Sequence, residues 1–388
     1  MNLALDLLAP GYTRSSRDAK SARKRLCRLL YLTGGLHTGG SERQLYCLLR
    51  SIDRERYQPE VVVWSYREED TYVSHIRKLG IPIHFFSPGL SGYQKLFCFR
   101  RLLVQLRPQV IHSYTFYTNF AAWWATLGTP SVAIGAMRSD FDYDRNSSGM
   151  VLGGLSLRCP RTQIYNNAAA AEQARMDGRW YLPRRIFVVR NGIDLDEFRE
   201  TPLSMNGQVR ILGVGSLLHV KRWDRLLMAA SNLQKRGFDF QIEICGGGPL
   251  EASLKQQAKT LGVFDLVHFL GHTDEIAGCL ARSTFLAHVS ESEGCPNAVM
   301  EAMGCGRAVV AMDVGDIASL VDDGKTGFVV RRGDDAAFAD CMARLIADRT
   351  LCLRMGEAGR DKAEREFGGN RLADETLEVY RAAGWTDF

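Results

Sequence analysis

The chain has 388 residues, 46% of them apolar and 24% charged, enough for two packed domains of roughly 150 to 200 residues and too apolar for a disordered polymer. Its apolar runs fall short of the about 20 residues a membrane-spanning helix needs, and its ten cysteines form neither a CxxC pair nor a Cys/His cluster of zinc spacing, so they read as reduced packing thiols. Residues 1–200 carry 28 Lys/Arg against 18 Asp/Glu, a balance of +10, which leaves 21 against 26, or −5, for the remainder; no RNA-binding signature accompanies the basic half, so no nucleic-acid role is expected.

In chain order, the first ten residues hold a short apolar patch that Asp6 interrupts and charges follow, the reverse of a secretory signal, so a cytoplasmic protein is expected. Arg14, Arg17, Lys20, Arg23, Lys24, Arg25 and Arg28 then crowd around a basic N-terminal arm, residues 1–27. The arm reads either as a solvated tail or as a peripheral contact with an anionic membrane surface, worth about 1 kcal/mol per charge near the lipid. Strand-like runs follow at Leu29–Leu32, Val61–Trp64, Ile81–Phe86, Val110–His112 and Val132–Ile134, with helical spacing between them, which predicts a parallel α/β domain over 28–198. The irregular stretch from Arg138 to Pro160, rich in Asp, Asn, Ser and Gly, reads as an active-site loop or an ordinary surface excursion.

Asn191-Gly192 marks a turn, and the polar stretch at Pro202, Ser204, Asn206 and Gly207 predicts a domain boundary near residue 199. The strand pattern restarts at Val209–Val214, Phe240–Cys245, Leu266–Leu270, Phe285–Val289 and Ala308–Ala311, a second α/β domain over 199–365 with a final helical segment at 366–388. The predicted fold class is therefore α/β, with two Rossmann-like domains of parallel sheets flanked by helices.

Three groups of residues point to chemistry. The first βα turn, Gly34-Gly35-Leu36-His37-Thr38-Gly39-Gly40-Ser41, places Gly40 or Ser41 as a helix cap and aims unpaired N–H groups at the crevice, which suits a diphosphate. Its glycine spacing is GGxxxGG, not the GxGxxG of dehydrogenases. In the second half, Gly215-Ser216 is followed by Lys221 and Arg222, cations at a strand end that can neutralise a leaving diphosphate. The third group follows the strand at Phe285: Glu293-Gly294-Cys295-Pro296-Asn297, then Glu301, expected in the first turn of a helix begun by Pro296 and Asn297. Two carboxylates one strand-to-helix turn apart can accept paired hydrogen bonds from the vicinal hydroxyls of a sugar and a ribose. Small-residue turns at Gly246-Gly247-Gly248 and Gly271-His272 add Gly247 and His272 as donor-side candidates.

The blocks GGLHTGGSERQ, RNGIDLDEF, VGSLLHVKRWDRLL and ESEGCPNAVMEAMGCGRAVVA, with the turn GKTGFVV, resemble glycosyltransferase family 4 in the same order, over nearly the whole chain from Leu29 to Tyr380. The resemblance implies retaining enzymes of the GT-B fold: two facing domains, with the acceptor in the basic N-terminal one, the donor in the C-terminal one and the last helix crossing back. It implies a sugar moved from a nucleotide-diphosphate donor, UDP-sugar favoured and GDP-sugar possible, to a hydroxyl of a glycan, glycolipid or lipid-linked acceptor, as in polysaccharide biosynthesis. It also implies that Glu293 binds sugar hydroxyls, Glu301 the ribose, and Gly39, Gly40 and Lys221 the diphosphate. Attack would come from the front face with a diphosphate oxygen assisting, so no covalent nucleophile is required.

Two positions depart from the family pattern. Ser216 stands where an arginine is common, and Arg138, where a histidine is common, cannot act as a base at neutral pH, so its expected role is electrostatic. His112 and Tyr114 are candidates for the acceptor side, and a structural histidine reads equally well there. Metal-independent transfer with no cofactor is expected, with Lys221, backbone amides and helix ends carrying the phosphate charge. The alternatives are a nucleotide-dependent oxidoreductase or epimerase, and a catalytically silent module that binds sugar nucleotides.

Overall fold

A computed structural model describes residues 26–139, 141, 144, 149–177 and 182–386. The arginine-rich arm, apart from its end at Leu26 and Cys27, and much of the expected loop after Arg138 lie outside the described residues. The chain divides into two compact units, Met1–Gly192 with Gly369–Phe388, and Ile193–Gly368.

The first unit is a seven-stranded parallel sheet: β1 (Cys27–Thr33), β2 (Tyr57–Val63), β3 (Ile83–Phe85), β4 (Val110–Ser113), β5 (Val132–Met137), β6 (Thr162–Tyr165) and β7 (Arg185–Val188). Their spatial order is β3-β2-β1-β4-β5-β6-β7, so the chain reverses its winding between β1 and β4. Nearly continuous burial along β1 and β2 shows why those runs carry apolar residues at successive positions: helices cover both faces. Helices α1 (Gly40–Ser51), α2 (Thr71–Lys78), α3 (Gly92–Leu106), α4 (Asn119–Thr126), α5 (Met150–Arg158) and α6 (Ala168–Asp177) connect the strands. Residues of α1 and α2 share one core with Leu29, Tyr31, Val61 and Val63, while those of α3 and α4 share another with Leu30, Leu32, Val62 and Ile111.

The second unit repeats the plan with β8 (Val209–Val214), β9 (Phe240–Cys245), β10 (Val267–Gly271), β11 (Phe285–His288), β12 (Ala308–Met312) and β13 (Gly327–Val330), in the order β10-β9-β8-β11-β12-β13. Its helices are α7 (Trp223–Lys235), α8 (Glu251–Thr260), α9 (Ile276–Arg282), α10 (Asn297–Gly304), α11 (Ile317–Leu320), α12 (Asp335–Ala347) and α13 (Arg349–Glu366). The winding reverses between β8 and β11, and the crevice at such a switch point is where open parallel sheets bind ligands.

The change of unit falls between Gly192 and Ile193, a few residues before the polar stretch, because Ile193 and Phe198 pack into the second unit's core beside Met303 and Phe367. The last helix, α14 (Gly369–Ala382), belongs to the first unit, where Leu372, Leu377 and Tyr380 join the core with Trp385. Gln44 pins the end of that unit by donating to Gly192 O at 2.8 Å and accepting from Gly192 N at 2.7 Å. Among the described residues no helix is long and apolar enough to cross a membrane.

Candidate functional site

In the second unit, the loops after β8 and β11 meet at the switch point. The backbone leaves β8 through Gly215 and Ser216, makes a short 3-10 turn at His219–Lys221, and enters α7 through Arg222, whose φ of 50° is left-handed. Three glycine-containing turns are stitched together here: Leu217 N donates to Gly247 O and Gly246 N to Gly271 O. A Cβ on Gly246 would stand 2.0 Å from Gly215 O, so that close approach requires glycine. Gly247 lies beside His272, which is exposed and 3.6 Å from Asp274. Ser216 is exposed, and its carbonyl accepts from Trp223 Nε1 at 3.0 Å.

Lys221 and Glu293 come together: Nζ donates to Oε1 at 2.5 Å, and the Glu293 side chain is 13% exposed. His288, at the end of β11, brings Nε2 to 3.4 Å from the same oxygen, within electrostatic reach but outside hydrogen-bond geometry. Burial pushes the Glu293 carboxyl up, but the Lys221 ammonium and the His288 imidazole override it and hold the group well below the ordinary value of 4.5. Glu293 is therefore a fixed anion. Behind it, Gly294, Cys295 and Pro296 are buried, Pro296 caps α10, and Asn297 is that helix's first residue. Glu301 thus sits in the second turn of α10, not the expected first, and is 1% exposed.

A second carboxylate organises the same crevice and was not singled out from the sequence. Glu291 accepts from Arg222 Nη1 at 2.9 Å and Arg332 Nε at 2.7 Å, and Arg225 Nη2 stands 2.5 Å away. Arg222 also holds Asp224, so the guanidinium expected to help neutralise a leaving diphosphate is engaged by two carboxylates. Glu291 N donates to Val220 O at 2.8 Å, which locks the β11 loop onto the β8 loop and fixes where Lys221 starts.

In the first unit the helix cap is Gly39, neither Gly40 nor Ser41, and no side chain caps it. The positive end of α1 already faces a carboxylate: Glu42 Oε2 lies 2.3 Å from where a Gly39 Cβ would be. Burial raises the Glu42 pKa, opposed by His37, whose Nε2 is 3.6 Å from the carboxylate. Gly34 likewise makes room for the Tyr117 hydroxyl, 2.1 Å from its would-be Cβ. These glycines therefore accommodate the protein's own side chains.

After β4 and β5, a buried cluster assembles the two expected acceptor-side residues, His112 and Tyr114, with Arg138. His112 is 1% exposed and its Nδ1 lies 2.8 Å from the Tyr380 hydroxyl; burial, then the Arg138 charge, drives its pKa well below 6.5. It is a neutral imidazole. Tyr114 is also buried, its hydroxyl donates to Gln44 O at 3.2 Å, and burial pushes its pKa up to about 12. The Arg138 guanidinium stacks 3.6 Å from the Tyr114 ring centroid, and among the described residues no acceptor reaches its buried Nε or Nη1.

Residues 38–197 match the family described as Glycosyltransferase Family 4, and residues 194–362 match Glycosyl transferases group 1. Alpha-maltose-1-phosphate synthase of Mycolicibacterium smegmatis is 32% identical over 314 residues, covering 70% of this chain and 78% of that protein. N-acetyl-alpha-D-glucosaminyl L-malate synthase of Bacillus anthracis is 26% identical over 200 residues, covering 52% of this chain and 51% of that protein. The solved structure of Anabaena Alr3699/HepE in complex with UDP has the same fold, with a TM-score of 0.78 at 19% identity over 92% of this chain and 100% of that chain. The protein is a glycosyltransferase with two Rossmann-like units of the GT-B type. It belongs to glycosyltransferase family 4.

Proposed function

We propose that the chain transfers a hexosyl group, with retention, from a nucleotide-diphosphate sugar held by the second unit, a UDP-sugar ahead of a GDP-sugar, to a hydroxyl of a glycan, glycolipid or lipid-linked acceptor. The observation that carries this reading is the Lys221–Glu293 pair at the β8/β11 switch point. Lys221 offers a cation for the developing diphosphate charge, and the ionised Glu293 offers an acceptor for sugar hydroxyls. Glu301, deeper in α10, is assigned to the ribose, with Ser216, Gly247, His272, Gly294, Cys295, Pro296 and Asn297 lining the donor side. Arg138, with two guanidinium nitrogens lacking a described acceptor, supplies positive charge on the acceptor side. Tyr114 holds Arg138 in place by stacking its ring on the guanidinium, and His112 packs against Tyr114 with ring centroids 5.0 Å apart, roles their burial favours over direct acceptor contact. The cationic arm at 1–27 is assigned to an anionic membrane surface.

Replacing Glu301 with alanine is expected to weaken nucleoside diphosphate binding by about 1.5–3 kcal/mol, the loss of a charge-assisted acceptor. Glu301→Gln, which keeps the shape of the buried side chain, should lose less. Calorimetric titration with UDP and GDP measures both, and parental affinity in both variants would remove Glu301 from the ribose site.

Turnover is expected to persist in excess EDTA, since Lys221 and backbone amides are assigned the phosphate charge. A loss of turnover that Mg²⁺ or Mn²⁺ restores would overturn that assignment.

A further inference from the structure

From Thr71 to Ser139 the chain runs for 69 residues without one Asp or Glu while carrying seven Lys/Arg. That segment includes α3 and α4, which pack beside each other on one face of the first unit's sheet. A surface helix normally turns polar residues outward. The outward stripe of α3 instead holds Tyr93, Phe97 and Val104, respectively 80%, 67% and 54% exposed, with the exposed Arg101 among them.

The stripe continues onto α4. Phe97 meets Trp124 edge-on with centroids 5.5 Å apart, Trp123 and Phe120 are half-buried neighbours with centroids 5.7 Å apart, and Leu127 at the helix end is 42% exposed. Cations are set into this apolar band. Arg100 donates to the Trp124, Ala125 and Leu127 carbonyls and lies over the Trp124 ring, and Lys95 donates to Trp64 O. These partners are carbonyls, so the positive charges are not neutralised by them.

We infer that the α3–α4 face docks on an anionic lipid surface, its aromatic rings entering the headgroup region and its cations facing lipid phosphates. Aromatic side chains with a polar tip favour that interface, and cations carried on a segment without Asp or Glu favour anionic lipid over an ordinary protein surface. Tyr93 lies in the first turn of α3, and helix N-termini in this unit follow the carboxyl ends of the strands, where Arg138 also sits. A lipid-borne acceptor would thus approach the edge of the sheet assigned to it. The inference rests on the membrane part of the reading above but uses a surface distinct from the arm.

The test is sedimentation of the full chain with vesicles of equal parts phosphatidylcholine and phosphatidylglycerol, against phosphatidylcholine alone. The parent should bind the anionic vesicles more tightly, and Tyr93→Ser with Phe97→Ser should weaken that binding about tenfold. Both sites are exposed, so melting temperature should hold. Deletion of residues 1–24 should leave binding that still responds to the Tyr93/Phe97 pair, and brominated acyl chains should quench parental tryptophan fluorescence more than that of Trp123→Phe. Parental vesicle binding by the Tyr93/Phe97 variant would overturn the inference, as would a solution dimer that this variant dissociates, which would give the face to a second copy. Neither readout depends on sugar transfer, so a failed transferase reading and a failed docking surface are told apart.

Discussion

Glu293→Ala is expected to lower kcat by about two orders of magnitude or more while nucleoside diphosphate binding changes little, because the carboxylate is assigned to the sugar and not to the nucleotide. Its pKa lies well below 4.5, so the parent's low-pH limb should not report Glu293. Lys221→Met removes the main lowering influence and leaves burial opposed by His288 alone, so the carboxyl should rise and an acidic limb should enter the pH–rate profile as the residual rate falls. Stability follows the same sign. A depressed carboxyl pKa contributes stability above its unfolded value, near 4.5, which is lost as pH falls toward the folded pKa. The Lys221→Met chain should therefore show a shallower acid-side loss in denaturant titrations. Parental turnover by Glu293→Ala would remove this pair from the donor site.

The second large effect is expected at a residue that touches no assigned ligand. Gly315, after β12, has φ of 56°, and a Cβ there would stand 2.4 Å from both Glu293 O and Gly294 O. Asp316 N donates to Gly294 O at 3.0 Å, so this turn is the rear support of the acidic loop. Gly315→Ala must displace backbone and not a flexible side chain, and should lower kcat/KM by about tenfold to a hundredfold, since small misplacements of a binding group carry losses of that order. Gly262→Ala is the control. It has a comparable φ of 74° in open, exposed space, so it carries backbone strain of about 1 kcal/mol without the collision. Equal kinetic losses in the two variants, at matched melting temperatures, would mean that strain and not loop displacement is responsible.

The sequence was most legible where helices cover both faces of a strand. The apolar runs at Val209–Val214 and Phe240–Cys245 coincide with β8 and β9. β6 was missed because its residues include buried polar groups that periodicity reads as loop, and β7 because it is a four-residue, half-buried strand at the sheet edge. Gln163 in β6 is fully buried and donates its amide to Ser156 O and Leu157 O, partners no local pattern reveals. The same limit applies to the site. Glu293 and Glu301 stood out through the glycine, proline and asparagine between them, but His288 was hidden inside an apolar run. Glu291 looked like one more polar loop residue because its three arginines come from the α7 entrance, α7 and the segment after β13. Glu301 falls in the second turn because α10 begins at Asn297, four residues before it and so more than one 3.6-residue turn away.

The seat of α14 also orders events during synthesis. The second unit is one uninterrupted stretch, Ile193–Gly368, and has all its core residues once that stretch has left the ribosome. The first unit, although translated first, still lacks Leu372, Leu377, Tyr380 and Trp385 at that moment. His112 then waits without its Tyr380 hydroxyl, and the Arg190 and Asn191 carbonyls without the Arg371 guanidinium. The unit translated first is therefore the last to have its core completed.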